Sequence, residues 1–184
     1  MSMVQKCIPD DYHASIFEIP YHLLKKQGIT TLFFDLDNTI IAYDEDQLGK
    51  REIDFLNELK KDFKIVVMSN SGYKRVSHAL INTDFMFLWH SIKPTKIGFK
   101  KAIKKVNETK DKIMMIGDQM MTDVYGAHRI PIKAILVGSV KRSSDRKLTK
   151  FNRFLEKIIL KKIMRKEPKL YEERLSEYVK DHAL

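Results

Sequence analysis

A chain of 184 residues with 43% hydrophobic content is long enough to bury a sizeable core, and it reads as one domain over 1–184. Its single cysteine, Cys7, excludes an intrachain disulfide and a cysteine-built metal site, which points to a reducing cytoplasm. No stretch approaches the ~20 apolar residues of a membrane span, and the first residues hold no apolar run of signal-peptide length. The formal charge of +10 is concentrated: 141–166 holds eleven basic residues against Asp145 and Glu156, and so carries +9 of it. The rest of the chain is nearly neutral, and the basic stretch is the part suited to a polyanion.

Residues 9–26 lead in with Ile16, Phe17, Ile19, Leu23 and Leu24 as packing groups. Pro20 opens a short helix there and Gly28 stops it. Leu32, Phe33 and Phe34 then read as a buried strand that runs into Asp35, Asp37, Asn38 and Thr39. A helix over about 49–62 follows, with Ile53, Leu56, Leu59 and Phe63 on one stripe. Strand 64–68 ends at Ser69, Asn70 and Ser71, and helix 73–81 comes next. Residues 84–89 read as a third strand, with the sole tryptophan, Trp89, as a packing residue. Lys93 and Pro94 precede a helix over about 95–107. Strand 112–116 delivers Gly117 and Asp118, and helix 121–129 and strand 133–137 complete the alternation. This order implies an α/β fold, a Rossmann-like parallel sheet with helices on both faces. An amphipathic helix over 149–166 is expected to pack Phe151, Phe154, Leu155, Ile158, Ile159 and Ile163 inward. Lys150, Arg153, Lys157 and Lys161 would then face solvent. The tail 167–184 is acidic and aromatic, and nothing in it names a packing partner.

Three of the polar signals fall at strand ends, where ligands bind in parallel sheets. Two acids one residue apart suit a hard divalent cation such as Mg²⁺, which keeps water and phosphate oxygens in its remaining positions. Phosphate ester hydrolysis needs an in-line nucleophile, a proton donor and positive charge around the phosphoryl group. Asp35 is the candidate nucleophile and Asp37 the candidate acid and base. Asp35, the backbone carbonyl of Asp37, and Asp118 would hold the metal. Ser69 and Asn70 suit phosphate oxygens, although each is also an ordinary helix cap. Lys93 would neutralise phosphate charge, and Asp123 would orient metal waters or Lys93.

In this order the DLDNT, Ser69-Asn70, Lys93-Pro94 and GDQMMTD signals match the four motifs of the haloacid dehalogenase (HAD) superfamily. With GFKKA over 98–102 and TKFNRFLE over 149–156, the chain resembles the YqeG-like family of HAD type IIIA phosphatases. The resemblance runs over roughly 9–166. It departs at Ser71, where a second Asn is expected, and at Ala127-His128, where Gly-Asn is expected. That family is similar to mitochondrial and chloroplast phosphatidylglycerophosphate phosphatases, which implies phosphatidylglycerophosphate as the substrate. Neither the 37–69 nor the 69–93 interval has room for a cap domain, so the site is expected to be open. An open site suits a phosphate carried on something large.

Other readings keep the chemistry and change the substrate to a nucleic acid end, a phosphoprotein or a sugar phosphate. A ribosome- or RNA-binding protein on the same fold is a further reading, opposed by the intact Asp35, Asp37, Lys93 and Asp118. An anionic membrane surface is the expected partner of 141–166, which would make the protein peripheral at the inner face of the membrane. Nucleic acid is the less favoured partner of that stretch.

Overall fold

A computed structural model of the protein describes residues 1–145 and 147–182. Arg146 of the basic stretch, and Ala183 and Leu184 of the tail, lie outside the described residues. In chain order the elements begin with α1 (Met3–Lys6), β1 (Asp11–His13), α2 (Tyr21–Lys26), β2 (Thr31–Phe34) and α3 (Lys50–Lys60). They continue with β3 (Lys64–Met68), α4 (Tyr73–Ala79), β4 (Met86–Leu88), α5 (Lys96–Val106) and β5 (Ile113–Gly117). A π-helical turn (Met120–Val124) then leads into α6 (Tyr125–His128), β6 (Lys133–Val137), α7 (Lys147–Lys166) and α8 (Pro168–Asp181).

The six strands form one parallel sheet in the order β1-β6-β5-β2-β3-β4. Side chains alternate across it. Leu32, Phe34, Ile65, Val67, Met114 and Ile116 bury one face against α2, α3 and α4. Phe33, Val66, Met68, Ile113 and Met115 bury the other against α5, α6, α7 and α8. Both faces covered is why these strands read as continuous apolar runs and not as alternating ones. The sequence reading has five strands. The sixth, β1, is only Asp-Tyr-His, too short and too polar to show a pattern, and it is fixed by pairing with β6 from Asp11↔Ile135 to His13↔Val137.

The chain moves from β2 outward to β3 and β4, then crosses back to β5 on the other side of β2. The reversal of direction between β2 and β5 opens a crevice at their carboxyl ends. The tail finds its packing partner on the α7 side of the sheet. Pro168 starts α8, and Leu175 and Tyr178 are buried, with Tyr178 edge-on to Tyr12 at 5.3 Å between ring centres. His128, which stands where the resemblance leads one to expect Asn, is mostly covered and pins the amino-terminal segment: its ring nitrogens lie 3.0 Å from the Lys6 carbonyl and 3.0 Å from Asp10. No helix among the described residues is long and apolar enough to cross a membrane.

Candidate active site

β2 and β5 lie side by side with Phe34 opposite Ile116, and the Asp35 amide donates to the Ile116 carbonyl at 2.9 Å. Strand register therefore delivers Asp35 and Asp118 to the same crevice. Lys93 comes in from the end of the β4 side, fully enclosed. Its ammonium donates to Asp35 Oδ1 at 2.5 Å and to the Met68 carbonyl at 2.8 Å, and lies 2.7 Å from Asp123 Oδ1. The Thr39 hydroxyl sits 3.4 Å from both Asp35 Oδ2 and Asp118 Oδ1, and accepts from the Asp118 amide at 3.0 Å. Gly117 is required by this crowding, because a Cβ there would stand 2.4 Å from the Asp123 carboxyl carbon.

Burial pushes the Asp35 carboxyl well above the usual carboxylate range, against the pull of Lys93 and with the help of Asp123 and Asp118. Burial also raises Asp123, again opposed by Lys93. For Lys93 burial works against the charge, but Asp123 and Asp35 outweigh it and hold the ammonium above its ordinary pKa. The cluster is thus short of positive charge. Asp35, Asp118 and Asp123 can each place a carboxylate oxygen within 4.8 Å of the others, an all-oxygen donor set that fits a small hard divalent cation. Asp123, read from sequence as a supporting residue, stands inside this triad as well as on Lys93. The Asp37 side chain stands outside it.

Asp37 is held by a different set of groups. Its Oδ2 accepts from Ser71 Oγ at 2.7 Å and from Ser69 Oγ at 3.1 Å, and its Oδ1 from the Arg75 guanidinium at 3.0 to 3.1 Å. Arg75 is itself fixed by the Glu45 and Asp46 carbonyls at 2.6 and 3.2 Å. Ser69 is fully buried, with its hydroxyl engaged by Asp37 and the Ser71 amide. Asn70 brackets the Lys93 backbone: its amide nitrogen donates to the Lys93 carbonyl at 3.0 Å, and its oxygen accepts from the Lys93 amide at 2.7 Å. In this arrangement Ser69 and Asn70 support Asp37 and Lys93. Ile92, just before Lys93, has φ +51°, a region costly to a β-branched residue.

The largest departure from the sequence reading is α7. Arg153, expected on the solvent face, is buried, and so is Glu156. The guanidinium donates to the Asp118 carbonyl at 2.6 Å and to the Asp118 carboxylate, and to Asp145 at 3.4 Å, with Glu156 at 3.6 Å. Asp145 in turn accepts from the Asn38 amide at 2.6 Å, which ties the Asp35–Thr39 loop to the same cation. The inward stripe is therefore Arg153, Glu156, Ile159, Leu160 and Ile163. Phe151, Phe154 and Ile158, expected inside, are 56%, 60% and 40% exposed. Buried carboxylates need a cation more than the sheet needs three further apolar side chains, and that sets the helix's rotation. An Arg and a Glu three residues apart, in step with Ile159, Leu160 and Ile163, were the available signal. Trp89, read as packing, is 47% exposed and stands edge-on to Tyr73 at 5.0 Å.

A cavity of about 560 Å³ opens over these groups, lined by Asp35, Asp37, Asn70, Lys93 and, from α7, Thr149 and Asn152. Between Asp37 and Ser69 the described elements are α3 and β3, and between Ser69 and Lys93 they are α4 and β4, so no cap domain is inserted.

A HAD-hydrolase-like family model matches residues 92–157. The chain is 33% identical over 160 residues to the probable phosphatase YqeG of Bacillus subtilis, covering 86% of this chain and 92% of the relative. Among solved structures, an uncharacterized protein from Listeria monocytogenes serotype 4b aligns at a TM-score of 0.48 and 18% identity, over 72% of this chain and 99% of its own. The cobalt-bound deoxy-D-mannose-octulosonate 8-phosphate phosphatase of Haemophilus influenzae aligns at 0.46 and 13%, over 74% and 90%. With an acidic crevice at the switch point of a parallel sheet, and a relative this similar along nearly its whole length, the chain belongs to the YqeG family of HAD-type phosphatases.

Proposed function

We propose that the protein hydrolyses a phosphate monoester with Mg²⁺, through a phosphoryl group carried on Asp35. The observation that carries this reading is the meeting of Asp35, Asp118, Asp123 and Lys93 at the ends of β2 and β5, with Asp37 on the wall of the same cavity. Asp35, Asp118 and Asp123 would hold the ion together with the Asp37 carbonyl, and the ion supplies charge neutralisation for the incoming phosphate. A carboxylate oxygen of Asp35 forms a bond to phosphorus as the ester P–O bond breaks. The departing oxygen takes its proton from the Asp37 carboxyl group. Asp37, now a carboxylate, then accepts a proton from water as that water attacks phosphorus, and the Asp35–phosphorus bond breaks to release inorganic phosphate. Lys93 keeps Asp35 oriented and offsets charge on the transferring group. Ser69, Ser71 and Arg75 fix Asp37 against the leaving oxygen.

The uncapped cavity supports a phosphate presented on something large, and phosphatidylglycerophosphate is the substrate we propose. The test is a comparison of kcat/KM for phosphatidylglycerophosphate vesicles, phosphopeptides, 5′-phosphorylated oligonucleotides and sugar phosphates, each with Mg²⁺. The lipid should lead. A soluble substrate leading would overturn the lipid assignment, and no turnover of any monoester would overturn the reaction.

A further inference from the structure

We infer that the outward face of α7 is a docking surface for an anionic lipid bilayer. Phe151, Phe154 and Ile158 follow one another at helical spacing, so they form one strip along the helix. That strip lies opposite the buried line of Arg153, Glu156, Leu160 and Ile163, and so occupies the middle of the solvent face. Lys150, Lys157 and Lys161 run along one side of it and Lys162 and Lys166 along the other, all exposed. Among the described residues no carboxylate lies within ion-pair distance of any of these five lysines, whereas Lys25, Lys50, Lys60, Lys61 and Lys141 each have one. The face therefore combines large apolar side chains with uncompensated positive charge.

A bilayer surface satisfies both halves of that pattern at once. Phe and Ile side chains enter the boundary between headgroups and acyl chains, while the lysine stems lie along it and their ammonium groups meet lipid phosphates. RNA would use the lysines but leaves Ile158 without a stacking role, and a soluble protein partner would need an acidic rim around an apolar groove. A second group of exposed side chains suited to a membrane interface stands at the carboxyl end of the same sheet. There Tyr73 and Trp89 form their edge-on pair and Ile92 is 54% exposed. Thr149 and Asn152, at the start of α7, line the catalytic cavity, so the helix that carries the outward strip also forms part of the cavity wall. Docking does not depend on the proposed reaction. Only its benefit to a lipid-borne monoester rests on that reading.

The experiment is sedimentation of the full chain with vesicles of phosphatidylcholine alone, or with phosphatidylglycerol added, at low and at physiological salt. Wild type should partition onto the phosphatidylglycerol vesicles and weaken as salt rises. The triple variant F151S/F154S/I158S should bind about tenfold or more weakly, and K150Q/K157Q/K161Q/K162Q should lose its preference for the anionic lipid. Both variants should keep the wild-type melting temperature and hydrolysis of a soluble aryl phosphate, because none of the seven side chains is buried or faces the cavity. Vesicle binding unaffected by the triple variant would overturn the proposal. So would wild type that stays in the supernatant, a triple variant that changes the oligomeric state instead, or tighter binding to an RNA oligonucleotide than to vesicles. Failure of the aryl phosphate assay in wild type would count against the reaction and leave the vesicle result standing.

Discussion

Replacing Arg153 by Met tests whether the α7 cation organises the acidic crevice. Met retains much of the apolar stem and removes the guanidinium, so the loss falls on the ion pairs with Asp118, Asp145 and Glu156. Removing one partner of a buried ion pair costs about 3–5 kcal/mol, because the other charge is left in the interior. Here each carboxylate keeps at least one other donor: Ser139 at 2.9 Å and Thr39 at 3.4 Å for Asp118, Asn38 at 2.6 Å for Asp145, and the Tyr178 hydroxyl for Glu156. The lower end, about 3 kcal/mol, is therefore expected. For a chain of this size that lowers the melting temperature by roughly 6–12 °C. Thermal melts by circular dichroism at neutral pH read it directly, with Lys157→Met on the exposed face of the same helix as the control. Mg²⁺ should raise the melting temperature more in Arg153→Met than in wild type, since a cation beside Asp118 replaces part of the missing charge. A loss of under about 2 °C, or one matched by Lys157→Met, would refute the reasoning.

Asp35→Asn should abolish aryl phosphate hydrolysis while the melting temperature holds or rises, because burial already pushes the Asp35 proton up and the amide relieves a crowded acidic cluster. Turnover near wild type would move the nucleophile elsewhere. Asp118→Ala should raise the Mg²⁺ concentration for half-maximal activity and lower the maximal rate, and an unchanged metal titration would exclude it as a ligand. His182 supplies a pH dependence: burial, aided by Arg142, holds its imidazole below the ordinary 6.5. In that window the unfolded chain binds more protons there than the folded one, so the contribution to stability is full above pH ~6.5 and falls as the pH drops toward the folded value. The melting temperature of wild type should thus fall more steeply than that of His182→Gln between neutral and mildly acidic pH. Parallel curves would remove His182 from the pH response.

What the sequence alone determined is local in the chain. Apolar runs of three to five residues ending in Asp35, Ser69 or Asp118 place acids and hydroxyls at strand ends, because a buried strand and the turn after it are written in consecutive residues. The doubly covered parallel sheet and the absence of an inserted cap follow from the order and spacing of those runs. Partnerships across the fold were not legible in this way. That Asp37 is gripped by Ser71 and Arg75, that Asn70 serves the Lys93 backbone, and that β1 exists at all depend on which segments the sheet brings side by side. The rotation of α7 shows the physical reason most plainly. Amphipathic reading assumes that charges seek water and apolar groups seek the core, and both faces of this helix contain apolar residues. Only once the sheet had gathered Asp118, Asp145 and their neighbours in the interior did burying Arg153 become the better choice, and that choice turned Phe151, Phe154 and Ile158 outward.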